Sequence, residues 1–190
     1  MSKIKVGIVG VGNCAKSLVE GIQYYNSNPE DKVGLMYPDI GGYTTTDIEF
    51  VVGFDVDRRK VNRPLTEALR AAPNCAMDHV EEILESGDNS PGAVAPGAMV
   101  YSGPELDGIA PWMLEYPKEV SFRTGAEAAK SYDDIVDLIK KTKVDVLINY
   151  LPVGTEKGSR FYMDAALDAG VHFVNCLSLI HISEPTRQHW

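Results

Sequence analysis

The chain has 190 residues and a formal net charge of −9, and its apolar, aromatic and charged fractions are ordinary for a globular protein. This length is enough for one domain with a sizeable core. The acidic balance argues against nucleic acid or an anionic membrane surface as a main partner, because both attract Lys and Arg.

The first third of the chain predicts two strands separated by a helix and a long insertion. Residues 4–9 form a short β-branched run that ends at a glycine, which indicates a buried strand. Apolar residues at helical spacing predict a helix over 13–25. An irregular insertion over 26–46, rich in Asn, Pro, Gly, Asp and Thr, comes before a second strand over 48–56.

The middle of the chain has a weaker pattern. A short helix is predicted over 64–72, since Pro64 suits the first helical position. Between 73 and 124, Pro and Gly recur, and we expect one helix near 77–84, a short strand near 99–101, and loops around them.

Clear periodicity returns at Tyr132. An apolar stripe predicts a helix there, and lysines at its C-terminal end suit the helix dipole. A strand over 144–151, a helix over 155–168 that Gly170 ends, and a strand over 171–175 follow. Strands that alternate with helices predict an α/β fold, a parallel sheet with helices on both faces.

A glycine motif between the first strand and the first helix carries the chemistry. In Gly10-x-Gly12-x-x-Ala15, Gly10 allows a tight turn, Gly12 lets the backbone approach a pyrophosphate, and Ala15 lets the helix pack close to the strand. The helix N-terminus, with Asn13 and Cys14, offers N–H groups to the phosphates. The motif in this context predicts a Rossmann-like domain that binds NAD.

Asp55, at the end of the second strand, completes this prediction. Its carboxylate would accept hydrogen bonds from the adenosine ribose and repel a 2′-phosphate, which favours NAD over NADP. The insertion explains why Asp55 lies 45 residues after Gly10. Asp57 is the alternative, and we expect it to face solvent or to cap the next helix. Arg58 and Arg59 are the nearby groups that could instead favour a 2′-phosphate.

The loop after the third clear strand should border the cofactor, because ligands of open parallel sheets lie beyond the carboxyl ends of the strands. It supplies Asn149, Tyr150, Leu151 and Pro152 as candidate cofactor-binding residues. Structural roles for Asn149 and Tyr150 remain open. Tyr162, on the next helix, is a weaker candidate, with core packing as its alternative role.

Other polar residues predict no further site. The cysteines Cys14, Cys75 and Cys176 have no metal-ligand spacing, and we expect buried or partly buried free thiols. His79 is expected at the surface, and His172 in a structural role. The N-terminus lacks the apolar core of a signal peptide, and no apolar run reaches the roughly 20 residues of a membrane helix. We therefore expect a cytoplasmic protein.

Four segments, 6–15, 54–57, 103–109 and 144–154, resemble the inositol-3-phosphate synthases of the actinobacterial and archaeal type. The resemblance covers residue 3 to about 176. It implies that NAD oxidises glucose 6-phosphate, that an enolate then closes the ring, and that the cofactor is finally restored. It also implies a homotetramer, and catalytic lysines in a later domain that this chain lacks.

The C-terminal residues depart from that family. From 177 to 187 they resemble a translated sequencing adapter, so we expect 177–190 to be a non-native tail. Residues 1–176 would then be the N-terminal part of the NAD-binding domain, with a parallel sheet that is incomplete at its C-terminal side. With no catalytic residue expected in it, the chain should be an inactive fragment of its parent enzyme.

Two alternatives remain open. The chain could be the N-terminal domain of another NAD-dependent dehydrogenase, or a non-catalytic NAD-binding module. The glycine motif alone does not separate the three interpretations. The segment 149–154 and the insertion 26–46 favour the synthase, and the adapter-like tail argues against a module that ends here.

Overall fold

A computed structural model describes residues 3–87, 90–109, 113, 115–117, 119–125 and 129–177. Almost all of the tail expected at 177–190 therefore lies outside the described residues. The elements in chain order are β1 (Ile4–Val9), α1 (Asn13–Ser27), β2 (Ile48–Asp55), α2 (Leu65–Ala68), β3 (Ser86–Gly87), β4 (Ser90–Pro91), β5 (Val94–Ser102), α3 (Tyr132–Lys141), β6 (Val146–Asn149), α4 (Glu156–Ala169) and β7 (His172–Asn175).

Five strands form one parallel sheet in the order β5-β2-β1-β6-β7. The central strand β1 pairs with β2 on one side and with β6 on the other. The strand order therefore reverses between β1 and β6, which creates a switch point at the carboxyl end of β1. The predicted parallel α/β sheet is confirmed. A separate antiparallel pair, β3 and β4, lies outside it.

Helices cover both faces of the sheet, and each face has its own core. On one face, Val6 and Ile8 of β1 pack with α1 and α2. On the other face, Val52 and Phe54 of β2 pack with α3 and α4. These strands are buried on both sides, which explains why they are continuously apolar in sequence instead of alternating.

The prediction of a helix near 77–84 is wrong. This segment is irregular, and it lies along a row of buried polar side chains on α1, namely Lys16, Glu20 and Gln23. Glu20 accepts the N–H of His79 at 2.9 Å, and Gln23 accepts the N–H of Leu84 at 2.7 Å. Because α1 satisfies its backbone groups, the segment needs no helical hydrogen bonds of its own.

The remaining boundaries differ by a few residues from those expected. The strand near 99–101 is longer, Val94–Ser102, and the helix over 64–72 is only the turn Leu65–Ala68. The insertion 26–46 is irregular as expected, apart from its first two residues, which still belong to α1, and the start of a 3-10 turn, Thr45–Asp47. In the described part of the chain, no helix is long and apolar enough to cross a membrane.

Candidate functional site

A cavity of about 550 Å³ lies beyond the carboxyl ends of the sheet strands. These ends lie level, because the backbone hydrogen bonds between neighbouring strands continue one residue past each strand. The N–H groups of Gly10, Gly103, Tyr150 and Cys176 donate to the adjacent strands at 2.7–3.1 Å. The cavity therefore spans the switch point, where an open parallel sheet places its ligand.

Nine of the eleven residues predicted to bind the cofactor line this one cavity. They are Gly10, Gly12, Asn13, Cys14, Asp55, Tyr150, Leu151, Pro152 and Tyr162. The other two, Ala15 and Asn149, lie beneath its surface and are fully buried. Ala15 packs in the core between α1 and the sheet, as expected for the small residue of the motif.

The two glycines of the turn have different roles. Gly10 has a φ of +84°, and a Cβ there would lie 3.0 Å from the carbonyl carbon and oxygen of Tyr150, so only glycine fits. Gly12 is the N-cap of α1, and a Cβ on it would meet nothing within 4 Å. A side chain at Gly12 would project into open space at the cavity.

The N-terminus of α1 faces the cavity without a side-chain cap. Gly12 offers none, and the first turn contains no acidic residue. Asn13 does not cap the helix either, because its Oδ1 accepts the N–H groups of Cys75 and Ala76, both at 2.8 Å. The first-turn N–H groups therefore suit an anion from outside the chain.

Asp55 holds the glycine turn against the end of β2. Its Oδ2 accepts the N–H of Val11 at 2.8 Å, and its Oδ1 accepts those of Val56 and Asp57 at 2.8 Å. A carboxylate has about four acceptor positions. Three are occupied, so Asp55 retains one for a further donor.

Lys60 is a lining residue that sequence reasoning missed. Its side chain is 2% exposed, and its Nζ donates to the carbonyl of Val11 at 2.7 Å and to Asn74 Oδ1 at 2.8 Å. Asp55 Oδ2 lies 3.9 Å from the same ammonium. Burial lowers the pKa of Lys60, and the carboxylates of Asp55 and Asp57 oppose that shift. No spacing in the sequence distinguishes this lysine from exposed ones.

Asp57 does not face solvent, contrary to the expectation. It is fully buried, and its Oδ1 accepts the side-chain Nε and the backbone N–H of Arg59, each at 2.9 Å. Burial would raise the pKa of Asp57, but these hydrogen bonds and that from the Arg123 N–H bring it below its ordinary value. Arg59 is thereby held by Asp57, while Arg58 is exposed beside a smaller recess.

The loop after β6 forms another wall of the cavity. Tyr150 lines it, and partial burial, with a hydrogen bond to Cys176, raises the pKa of its hydroxyl to about 12. Asn149, predicted as a cofactor contact, is instead buried beneath the loop. Its amide donates to Ser159 Oγ and Asn175 Oδ1, both at 3.0 Å. It therefore supports the loop from beneath, and its contact with a cofactor stays a prediction.

Tyr162 packs in the core and also lines the cavity, while its contact with a cofactor stays a prediction. Its ring packs 5.6 Å from that of Phe54 in the core, while the residue also lines the cavity. Burial and the nearby Asp55 carboxylate raise the pKa of its hydroxyl, which is therefore a neutral hydrogen-bonding group.

The segment 104–109 covers the cavity, and sequence reasoning assigned it no contact. All six of its residues line the cavity. Asp107 anchors it to α4, since its carboxylate accepts the N–H groups of Lys157 at 2.7 Å and Gly158 at 3.1 Å. Lys157 and Gly158 lie 50 and 51 residues after Asp107 in the sequence, so no local pattern reveals these contacts.

The three cysteines differ from their expected burial. All three are free and exposed, with Cys14 in the first turn of α1, Cys75 in the irregular segment after α2, and Cys176 directly after β7. Cys14 and Cys176 line the cavity. His79 and His172 are both exposed. Within the described ranges, no group of three or more His, Cys, Asp or Glu residues could hold a metal ion.

No protein-family model matches the chain. A comparison with curated proteins finds relatives that include two of the same name. The inositol-3-phosphate synthase of Corynebacterium glutamicum is 40% identical over 186 residues, which are 97% of this chain and 46% of that protein. That of Mycolicibacterium smegmatis is 42% identical over 185 residues, 96% of this chain and 46% of that protein.

Solved structures agree on the fold. The match to the crystal structure of Ari2 covers 97% of this chain and 48% of the Ari2 chain, with a TM-score of 0.71 and 27% identity. A myo-inositol-1-phosphate synthase-related protein from Thermotoga maritima covers 96% of this chain and 50% of its own, with a TM-score of 0.62 and 18% identity, which supports the fold alone.

The resemblance predicted from the four sequence segments is thus confirmed. The chain spans about half the length of the curated relatives it matches. Over nearly its entire length, it is a relative of the inositol-3-phosphate synthases.

Proposed function

We propose that this chain forms the NAD-binding part of an inositol-3-phosphate synthase, with the cofactor pyrophosphate on the glycine turn. The observation that carries the proposal is the N-terminus of α1. It faces the cavity without a side-chain cap, and a side chain at Gly12 would project into open space there. Backbone N–H groups at a helix N-terminus bind phosphate by hydrogen bonding and through the helix dipole.

The lining residues fit a dinucleotide. The turn from Gly10 to Cys14 would hold the pyrophosphate, and the one remaining acceptor position of Asp55 would bind a hydroxyl of the adenosine ribose. Tyr150 and Tyr162 would add neutral hydroxyl groups to the walls. NAD, when bound, supplies a hydride acceptor and donor, and the protein residues orient it and exclude water.

The charges near Asp55 favour NAD over NADP. The Asp55 carboxylate would repel a 2′-phosphate. Arg59 is held by the buried Asp57, and the ammonium of Lys60 is held by Val11 and Asn74. Of the nearby cations considered, Arg58 is the exposed one.

The activity that we propose for the parent protein is the conversion of glucose 6-phosphate to inositol phosphate. Its basis is the relationship to synthases that are about twice as long. The groups that stabilise the enolate would lie in the part of the parent that this chain does not include, and the parent would be a homotetramer. The chain alone would then bind the cofactor without completing the reaction.

Isothermal titration of the 190-residue chain with NAD and with NADP tests the cofactor part of this proposal. We expect saturable binding of NAD and weaker binding of NADP. Equal or tighter binding of NADP would contradict the role of Asp55 in specificity. A folded chain that binds neither would contradict the proposed function.

A further inference from the structure

The segment 104–109 is attached to α4 by one side chain, Asp107. Thr155, the N-cap residue of α4, makes no side-chain capping bond of its own. The carboxylate of Asp107 replaces it, accepting the N–H of Lys157 at 2.7 Å and that of Gly158 at 3.1 Å. A charged acceptor at a helix N-terminus is favourable both as a hydrogen-bond partner and through the helix dipole.

Gly108 permits this close approach, and Gly158 adjoins it on α4. Gly108 has a φ of +86°, and a side chain on it would overlap Thr155. Gly158 belongs to α4, and a Cβ there would lie 3.5 Å from Asp107 Oδ1 and 3.1 Å from Leu151. The segment is therefore fitted to the N-terminus of α4, with Asp107 as its charged contact.

The anchored segment forms a wall of the proposed cofactor site. Its six residues line the same cavity as the glycine turn and the loop after β6. A ligand on the glycine turn would be enclosed between these walls. Movement of the segment away from α4 would break both hydrogen bonds of Asp107 and remove this wall from the ligand.

We infer that Asp107 is a positioning residue that holds the segment 104–109 closed over the cofactor and thereby slows release of the dinucleotide. This inference rests on the proposed function, because the ligand is the same NAD. Asp107 does not need to contact the ligand to act in this way. The two Asp107 hydrogen bonds stabilise the closed position of the segment. Their loss should therefore raise the dissociation rate of NAD more than it changes the association rate.

The test compares NAD binding kinetics of the immobilised 190-residue chain with those of Asp107→Ala and Asp107→Asn, by surface plasmon resonance. Loss of two hydrogen bonds to a charged acceptor should speed NAD release about tenfold in Asp107→Ala. Asp107→Asn, whose amide oxygen can still accept one bond, should lie between. Asp164→Asn removes the same charge from an exposed position of α4 and should match the unsubstituted chain.

Hydrogen exchange separates this role from a general loss of stability. In Asp107→Ala, the amides of Lys157 and Gly158 and the segment 104–109 should exchange faster, while the strands keep their protection. NAD release that is unchanged in Asp107→Ala, from an unsubstituted chain that binds NAD, would overturn this inference alone. Absence of NAD binding to the unsubstituted chain would instead overturn the proposed function.

Discussion

The carboxylate of Asp55 accepts the backbone N–H of Val11 at 2.8 Å, so the end of β2 holds the glycine turn that follows β1. The same carboxylate caps two further N–H groups and lies 3.9 Å from the buried ammonium of Lys60. A residue predicted as a ligand contact is therefore also part of the framework of the site.

Asp55→Ala should lower stability as well as NAD affinity. It leaves three N–H groups without their acceptor and the charge of Lys60 without its neighbour, at a cost of about 3 kcal/mol in the free energy of unfolding. NAD binding should weaken by about 1–3 kcal/mol. Urea unfolding and calorimetry measure the two effects, with the exposed Asp137→Ala as control. Unchanged stability with weakened binding would show that Asp55 acts on the ligand alone.

Gly10→Ala should destabilise the fold more than Gly97→Ala. Both glycines have positive φ, +84° and +72°, so each substitution carries about 1–2 kcal/mol of backbone strain. Only at Gly10 would the new Cβ also press on the backbone of Tyr150, whereas at Gly97 it meets nothing within 4 Å. We expect Gly10→Ala to cost at least about 1 kcal/mol more in urea unfolding. Equal costs would show that the turn and the loop after β6 can separate freely.

Asp57→Asn should make stability less dependent on acid pH. The pKa of Asp57 in the folded protein is below its ordinary value of 3.8, so the unfolded chain binds more protons between the two values. The stabilisation is complete above pH 3.8 and is lost as the pH falls through the folded value. At pH 6 the substitution should cost about 3 kcal/mol, because it breaks a buried pair with Arg59.

Urea unfolding of both proteins between pH 2.5 and 6 checks this pH dependence (roughly the range over which carboxylates titrate). The difference in the free energy of unfolding should shrink as the pH falls below 3.8. A difference that stays constant over this range would contradict the assigned shift. Asp137→Asn, which removes an exposed carboxylate from α3, should show little effect at any pH.

The 190-residue chain should not convert glucose 6-phosphate to inositol phosphate in the presence of NAD, whereas the full-length parent should. The reaction requires a hydride acceptor and an oxyanion stabiliser held over the same sugar, and we assign only the first to this chain. Assays of residues 1–176, the whole chain and the parent measure this. Turnover by either short form would contradict the assignment. A parent that oxidises another substrate instead would favour the dehydrogenase alternative.

The parts of the fold that depend on local pattern were predictable from the sequence. Apolar runs gave the sheet strands, and the spacing of Gly10, Gly12 and Ala15 predicted a turn between β1 and α1. Gly170, expected to end the last helix, adopts a φ of +74° at the end of α4. In each case the determining residues are neighbours in the chain, so their spacing carries the information.

The parts that depend on distant contacts were not predictable. The segment 77–84 stays irregular because side chains of α1, about 60 residues earlier, satisfy its backbone. Asp57 is buried because Arg59 folds back on it beneath residues 121–123. Lys60 and Asp107 likewise acquire their positions only when the sheet brings separate segments together.

The most direct test of the central claim is NAD binding by Gly12→Val. In the unsubstituted fold, a Cβ at Gly12 meets nothing within 4 Å, so the variant should fold, with circular dichroism and urea unfolding close to those of the unsubstituted chain. Its side chain would occupy the space proposed for the pyrophosphate. Gly21→Val, in the interior of the same helix and equally free of contacts, is the matched control. We expect calorimetry to show NAD binding by the unsubstituted chain and by Gly21→Val, and none by Gly12→Val. Normal NAD affinity in a folded Gly12→Val chain would contradict the account, because the glycine turn would then not be the phosphate site.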